Sequence, residues 1–199
     1  MRDKTTDVVQ FPYNRLNIVI AVLVTALALG AAPAYIYFNG VSNLTLGMAI
    51  AYYLLSGLAI TAGYHRLFSH KAYQAHWTYR LFMAIWGAAA VQNSILEWCR
   101  HHRIHHKYVD DVNKDPYPIT RGLFYAHVGW LLRDHNWKEQ MPKVNLKDLE
   151  RDWVVRFQHK YYWQLVVLMN IIIPVGIGFA VGKPLEMFLI VSVLRLFIA

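Results

Sequence analysis

The sequence predicts an all-α integral membrane protein: two transmembrane hairpins, four spans with the last one truncated, under a helical cytosolic cap. Three observations predict it. No charged side chain occurs between Arg15 and His65. A second apolar block begins near Tyr162 and continues, broken only around Gly182–Pro184, to Ala199. The section between the blocks, 65–161, carries fifteen Lys/Arg and nine Asp/Glu, a charge density that a bilayer interior does not accept. Across 199 residues, 56% are hydrophobic and 15% aromatic, yet the formal net charge is +8. Apolar spans joined by basic segments give that mixture.

Taken in order, residues 1–15 are a cytosolic lead. The first apolar run has the length of a span, not of a signal-peptide core. Crossing hydrocarbon takes about 20 apolar residues, so 16–64 holds two spans, near Leu16–Phe38 and Leu44–Tyr64. NGVSN (Asn39–Asn43) is the turn between them, with Asn and Gly supplying the backbone freedom of a tight reversal. Residues 65–161 form the cap, and 162–199 an incomplete second hairpin turning at GKPLE. Lys and Arg collect near span ends on the cytoplasmic side. The cap and the N-terminus are therefore expected to be cytosolic, with both turns on the opposite face. The positive charge is read as membrane orientation, not as a nucleic-acid surface.

One segment of the cap imitates a span. Trp77–Trp98 contains LFMAIWGAAAV, but this apolar stretch is bounded by Arg80 and by Gln92-Asn93-Ser94. That is below spanning length and predicts a helix at the membrane interface or against other helices.

Ten histidines occur, seven of them between His65 and His106. EWCRHHRIHH (97–106) gives His102, His105 and His106 as H-x-x-H-H, and on a helix i, i+3 and i+4 share one face. GYHRLFSH gives His65 and His70. Five residues of a straight α-helix leave these two about 140° apart, so they converge only where the helix ends or bends. Imidazole is the commonest protein ligand for transition metals. Several imidazoles without a thiolate favour iron, copper or zinc over magnesium or calcium. The zinc-hydrolase motif H-E-x-x-H is absent. Cys99 is the only cysteine, which excludes an internal disulfide and a Cys-type zinc site. So many histidines suggest more than one ion, and a site beside lipid suggests an oily substrate.

These residues resemble the membrane fatty acyl desaturases, most closely the acyl-CoA delta-9 (stearoyl-CoA) type. TAGYHRLFSHKAY (61–73) is similar to the family's first histidine box with its flanks, and QNSILEWCRHHRIHHKY (92–108) to its second. DPYPITRGLFYAHVGWLL (115–132) is similar to the segment after it. The resemblance implies a four-span fold under a cytosolic cap with two iron ions, ligated here by His65, His70, His102, His105 and His106. It implies O2 as co-substrate and a cis double bond introduced into a saturated acyl-CoA. Zinc is an adventitious substitute. Gln92, Asn93 and Trp98 match positions lining the acyl tunnel, and Arg100 and Asn17 match contacts to the CoA headgroup. The electron donor would be cytochrome b5, or a ferredoxin-like protein, with an NAD(P)H reductase. The short N-terminal lead favours a bacterial inner membrane over an endoplasmic reticulum.

Two departures from the family stand out. His101 occupies a position where close relatives carry Asp, and it lies off the face of the other three imidazoles. No second H-x-x-H-H occurs: His76, His127, His135 and His159 stand singly. The chain is accordingly read as an N-terminal portion lacking the third box, inactive by itself. Two alternatives are weighed. Another histidine-box oxygenase (an alkane or sterol hydroxylase, or a ketolase) would share the boxes but not the flanking segments. A non-enzymatic metal-binding membrane protein, such as a transporter, would place its ligands near the bilayer midplane.

Overall fold

A computed structural model describes residues 11–133 and 142–199. Among them the chain is helical, with no strand beyond an isolated antiparallel bridge between Tyr13 and Arg133. The fold forms two compact units. One combines the N-terminal residues up to Ala21 with Arg100–Asn145, the other Val22–Cys99 with Leu146–Ala199.

Among the described residues, three helices are long and apolar enough to cross a membrane: α1, Arg15–Asn39; α2, Asn43–Ser69; and, further along, Tyr162–Ala180. The first two extend the expected spans by only a few residues. Their surfaces expose Val22, Leu23, Leu29, Leu44, Leu54 and Leu58. Apolar exposure all along a helix is what a lipid environment selects.

The turn between α1 and α2 follows its composition. Gly40 takes φ +70°, a region a Cβ disfavours. Ser42 caps α2, its Oγ accepting from the Thr45 amide at 3.3 Å.

After α2 come α3 (Trp77–Ala89) and α4 (Ile95–Lys107). A single helix over 77–98 is therefore not what forms. The chain breaks at Val91 and Asn93, whose φ values are +56° and +73°, and no α-helix continues through left-handed residues. At 13 residues, α3 is about 20 Å long, short of a roughly 30 Å hydrocarbon core.

Short helical turns follow at Ile119–Arg121 and Tyr125–Gly129, and then come α5 (Lys147–Arg151), α6 (Trp153–Lys160), α7 (Tyr162–Ala180) and α8 (184–198). Helix α8, read from sequence as the fourth span, does not reach spanning length among the described residues.

Close backbone approach sets the α2–α3 contact. A Cβ on Gly87 would lie 2.2 Å from the Tyr64 ring, and one on Gly63 would lie 3.0 Å from Met83 Cβ. Tyr64 is wholly buried there. In the same unit, Met187 and Val191 of α8 pack with Tyr52 of α2, and Leu189 and Ile190 with Ala32 of α1. The two hairpin turns are bonded together. Glu186 accepts from the Ser42 amide at 2.8 Å and from its hydroxyl at 2.7 Å, and Lys183 pairs with the same carboxylate at 3.3 Å.

Helix α8 also buries a charge. Arg195, 3% exposed, donates to the Val191 carbonyl at 3.1 Å, to the Ala89 carbonyl at 2.9 Å and to Asn170 Oδ1 on α7. Its guanidinium stands 5.6 Å from the centre of the Tyr52 ring. Ala89 is the last residue of α3, so Arg195 satisfies a carbonyl at the negative end of that helix.

Candidate metal centre

The first histidine pair lies at the end of α2, where the backbone is not an α-helix. From Ala59 to Ser69 the helix adopts the wider π form, and the His70 amide donates to the His65 carbonyl at 3.0 Å. An i→i+5 bond brings residue i+5 over residue i, so the spacing that separates two side chains on an α-helix unites them here. The rings are 4.6 Å apart at their centres and nearly perpendicular, with ligand nitrogens within 4.8 Å.

The loop after this pair folds back on α2. The Tyr73 hydroxyl donates to the Ala62 carbonyl at 2.7 Å. Burial, helped by the neighbouring Tyr79 hydroxyl, pushes its pKa up to about 12, so it stays a donor at any physiological pH.

The second pair, His102 and His106, sits one turn apart on α4. Their Nε2 atoms are 3.0 Å apart and their ring centres 4.5 Å. His105 is oriented differently. Its ring centre is 5.9 Å from that of His106, and its Nδ1 turns to the Asp115 carboxylate, 2.9 and 3.0 Å from the two oxygens. Its ring also packs on Tyr117, 4.8 Å between centres. Burial, with the nearby Asp115 charge, pushes the Tyr117 hydroxyl well above its ordinary pKa. Helical spacing put all three imidazoles on one face. The structure brings two together and gives the third its own carboxylate.

The donor set suits a first-row transition metal. It consists of imidazoles with no thiolate, a combination that accepts iron, copper or zinc. Two Nε2 atoms 3.0 Å apart repel if both present lone pairs, and a cation shared between them relieves that.

Asn93 occupies the left-handed break, and Tyr162 Oη accepts from its amide at 3.0 Å. Gln92 is exposed and accepts from the Trp98 indole at 3.3 Å. The cap of α4 is Ser94, whose Oγ accepts from the Glu97 amide and bonds His159 Nδ1 at 2.7 Å. Gln158 completes the clamp. Its carbonyl takes the Ile95 amide at 3.0 Å, and its amide donates to Tyr64 Oη at 2.7 Å. Residues of α6 and α7 thus fix the 92–95 turn from below.

Trp98 packs edge-on to both Tyr64 and His65, 6.0 and 6.2 Å between ring centres. In the other unit, Asn17 is exposed and donates to the Leu131 carbonyl at 2.8 Å, and Arg100 is half-buried. His101 is buried, 6.2 Å from the Trp130 ring. His76 caps α3. His135 lies outside the described residues.

Sequence reasoning missed Asp115. It is one of three carboxylates in DDVNKDPYP (110–118), and spacing does not mark which of them turns inward.

Paired imidazoles at the end of an apolar helix and along a following helix define the class of histidine-box membrane proteins. The fatty acid desaturase profile matches residues 41–199, and the chain belongs to that family. Acyl-CoA desaturase 1 of Saccharomyces cerevisiae is 47% identical over 126 residues, covering 63% of this chain and 24% of that protein. Stearoyl-CoA desaturase 5 of Homo sapiens is 43% identical over 165 residues, covering 81% and 50%. Acyl-CoA Delta12-desaturase of Acheta domesticus is 48% identical over 122 residues, covering 60% and 34%. The chain spans half or less of the length of these curated relatives. All three come from eukaryotes, so they lend no support to a bacterial inner membrane.

Proposed function

We propose that this chain carries the first two histidine boxes of an acyl-CoA desaturase. The protein would remove two hydrogens from a saturated acyl chain and leave a cis double bond, with O2 and two electrons from a donor giving water. Family membership together with two histidine pairs, each with its ligand nitrogens within 4.8 Å, carries the reading. His65, His70, His102, His105 and His106 are the proposed ligands to two irons. Bound iron with O2 supplies the oxidising power that an unactivated C–H bond demands.

The chain's own residues then have defined tasks. Gln92, Asn93 and Trp98 shape the acyl path. The Gln158, His159 and Tyr162 bonds hold the 92–95 turn still while the chain is bound. Arg100 takes a CoA phosphate, which suits a guanidinium, and Asn17 contacts the same headgroup.

The delta-9 position is proposed from the relatives of that name, although a Delta12 enzyme is comparably similar. The proposed setting is the endoplasmic reticulum membrane with the histidines facing the cytosol and cytochrome b5 as donor, the ferredoxin-like alternative belonging with a bacterial setting. Two ions with open positions for O2 call for roughly four protein ligands each. Five histidines fall short, so the 199 residues by themselves are expected to hold fewer than two ions tightly and to be inactive.

The test pairs metal analysis of the purified chain with a product assay on a form extended to the length of its relatives, supplied with donor and O2. Less than two irons per chain and an O2-dependent alkene from the extended form are expected. An alcohol in place of the alkene would make the protein a hydroxylase. Two tightly held irons in the 199-residue chain would overturn the ligand count.

A further inference from the structure

Asp115 is the most deeply buried carboxylate near the candidate ligands, its side chain 0% exposed. It faces three nitrogens: two backbone amides and one imidazole nitrogen. Oδ1 lies 3.0 Å from His105 Nδ1 and accepts from the Tyr117 amide at 3.1 Å, while Oδ2 lies 2.9 Å from His105 Nδ1 and accepts from the Asp110 amide at 2.8 Å. Both oxygens are thus committed as acceptors to backbone amides, and neither is positioned to donate. A surface Asx turn needs one oxygen and no burial. Here both oxygens also face His105 Nδ1, and the side chain is fully buried. A buried carboxylate is costly unless it is fully hydrogen-bonded, so the arrangement requires Nδ1 of His105 to carry the proton.

We propose that Asp115 is a positioning residue for the metal centre, holding the Nδ1 proton of His105 so that Nε2 is left with a free lone pair as the ligand atom. The inference rests on the reading of His105 as a ligand. It goes beyond that reading by assigning the tautomer, its cause and the ligating nitrogen. The Tyr117 ring, 4.8 Å from that of His105, restricts rotation about the same bond. Carboxylate or carbonyl partners of this kind fix the ring and raise ligand basicity, and losing one typically lowers metal affinity about 10–100-fold.

Two measurements test it on the 199-residue chain in detergent. Cobalt(II) titrations followed by visible absorption compare the parent with Asp115→Asn, His105→Ala and the double variant. Asp115→Asn is expected to weaken binding about 10–100-fold, and the double variant to bind no more weakly than His105→Ala, because Asp115 acts only through that ring. Losses that multiply in the double variant, or an unchanged affinity in Asp115→Asn, would overturn the proposal. If His105→Ala binds cobalt as the parent does, the ligand reading itself fails and takes this one with it.

The second measurement does not depend on how the Asp115 variant folds. In metal-free parent protein with 15N-labelled histidine, the His105 signals are assigned by their loss in His105→Ala. They should report the Nδ1–H tautomer; the Nε2–H tautomer would refute the assignment.

Discussion

The His70 amide donates to the carbonyl of His65, five residues back, at 3.0 Å. That one bond accounts for the spacing of the first box. In an α-helix the amide would reach residue 66, and His65 and His70 would point to different sides. The wider turn stacks them, and it does so where the apolar helix gives way to the basic cap. Wide turns of this kind are uncommon and recur at functional sites.

Exchanging Ser69 and His70 (Ser69→His with His70→Ser) tests that geometry. The exchange creates an i,i+4 histidine pair, the better metal-binding spacing on an α-helix. On the π turn it moves one imidazole away from its partner. Cobalt affinity should fall by at least about tenfold, comparable to the loss of an orienting partner, with secondary structure by circular dichroism unchanged. Affinity equal to or above that of the parent would mean the segment is an ordinary α-helix in solution.

His101 separates packing from ligation within one box. It is buried beside Trp130 and lies off the face shared by His102 and His106. His101→Ala should lower thermal stability, by about 0.5–3 kcal/mol for a buried side chain, and leave metal stoichiometry intact. His102→Ala should do the reverse. Should His101→Ala strip metal as thoroughly as His102→Ala, the helical face is misassigned.

The long apolar helices and the histidine pairs His65/His70 and His102/His106 were legible in the sequence because each rests on a local signal. The run without charge from Leu16 to Tyr64 forms two long apolar helices, Arg15–Asn39 and Asn43–Ser69. The π turn was not legible. Sequence periodicity presumes 3.6 residues per turn, and what the sequence offered was a box whose α-helical geometry did not close. The break at 91–93 was hidden as well. Val91 at φ +56° has a side chain that normally avoids that region, and what holds the turn comes from Gln158 and Tyr162, more than sixty positions away. Asp115 was invisible for a related reason. A carboxylate among other carboxylates acquires its meaning from burial, which spacing does not encode.

Sidedness follows from charge. Asn43 at the end of the first turn and Lys107 at the end of α4 are both exposed, and the Lys/Arg surplus predicts a cytosolic Lys107. Single cysteines at the two positions, with the buried Cys99 replaced, should label from opposite faces of sealed vesicles. Labelling from the same face would overturn the hairpin arrangement.

The last test concerns the buried guanidinium of α8. Arg195 donates to the Val191 and Ala89 carbonyls and to the Asn170 side chain, with Tyr52 beneath it. A charge within a helical bundle is tolerated where polar groups surround it, and each acceptor therefore matters more than the charge contributes. Asn170→Leu removes the amide and leaves the guanidinium short of an acceptor in an apolar setting, a loss of about 2–3 kcal/mol. Arg195→Met removes the charge with it and leaves only neutral groups to be satisfied. Combining the two replaces the polar cluster by apolar contact, which is often neutral or better when the volume is kept. The double variant should accordingly be more stable than Asn170→Leu alone, read as the midpoint of unfolding in a denaturing detergent titration. If it is instead less stable than Asn170→Leu, Arg195 does not depend on that amide, and its contacts to Ala89 and Tyr52 are what hold α8 in place.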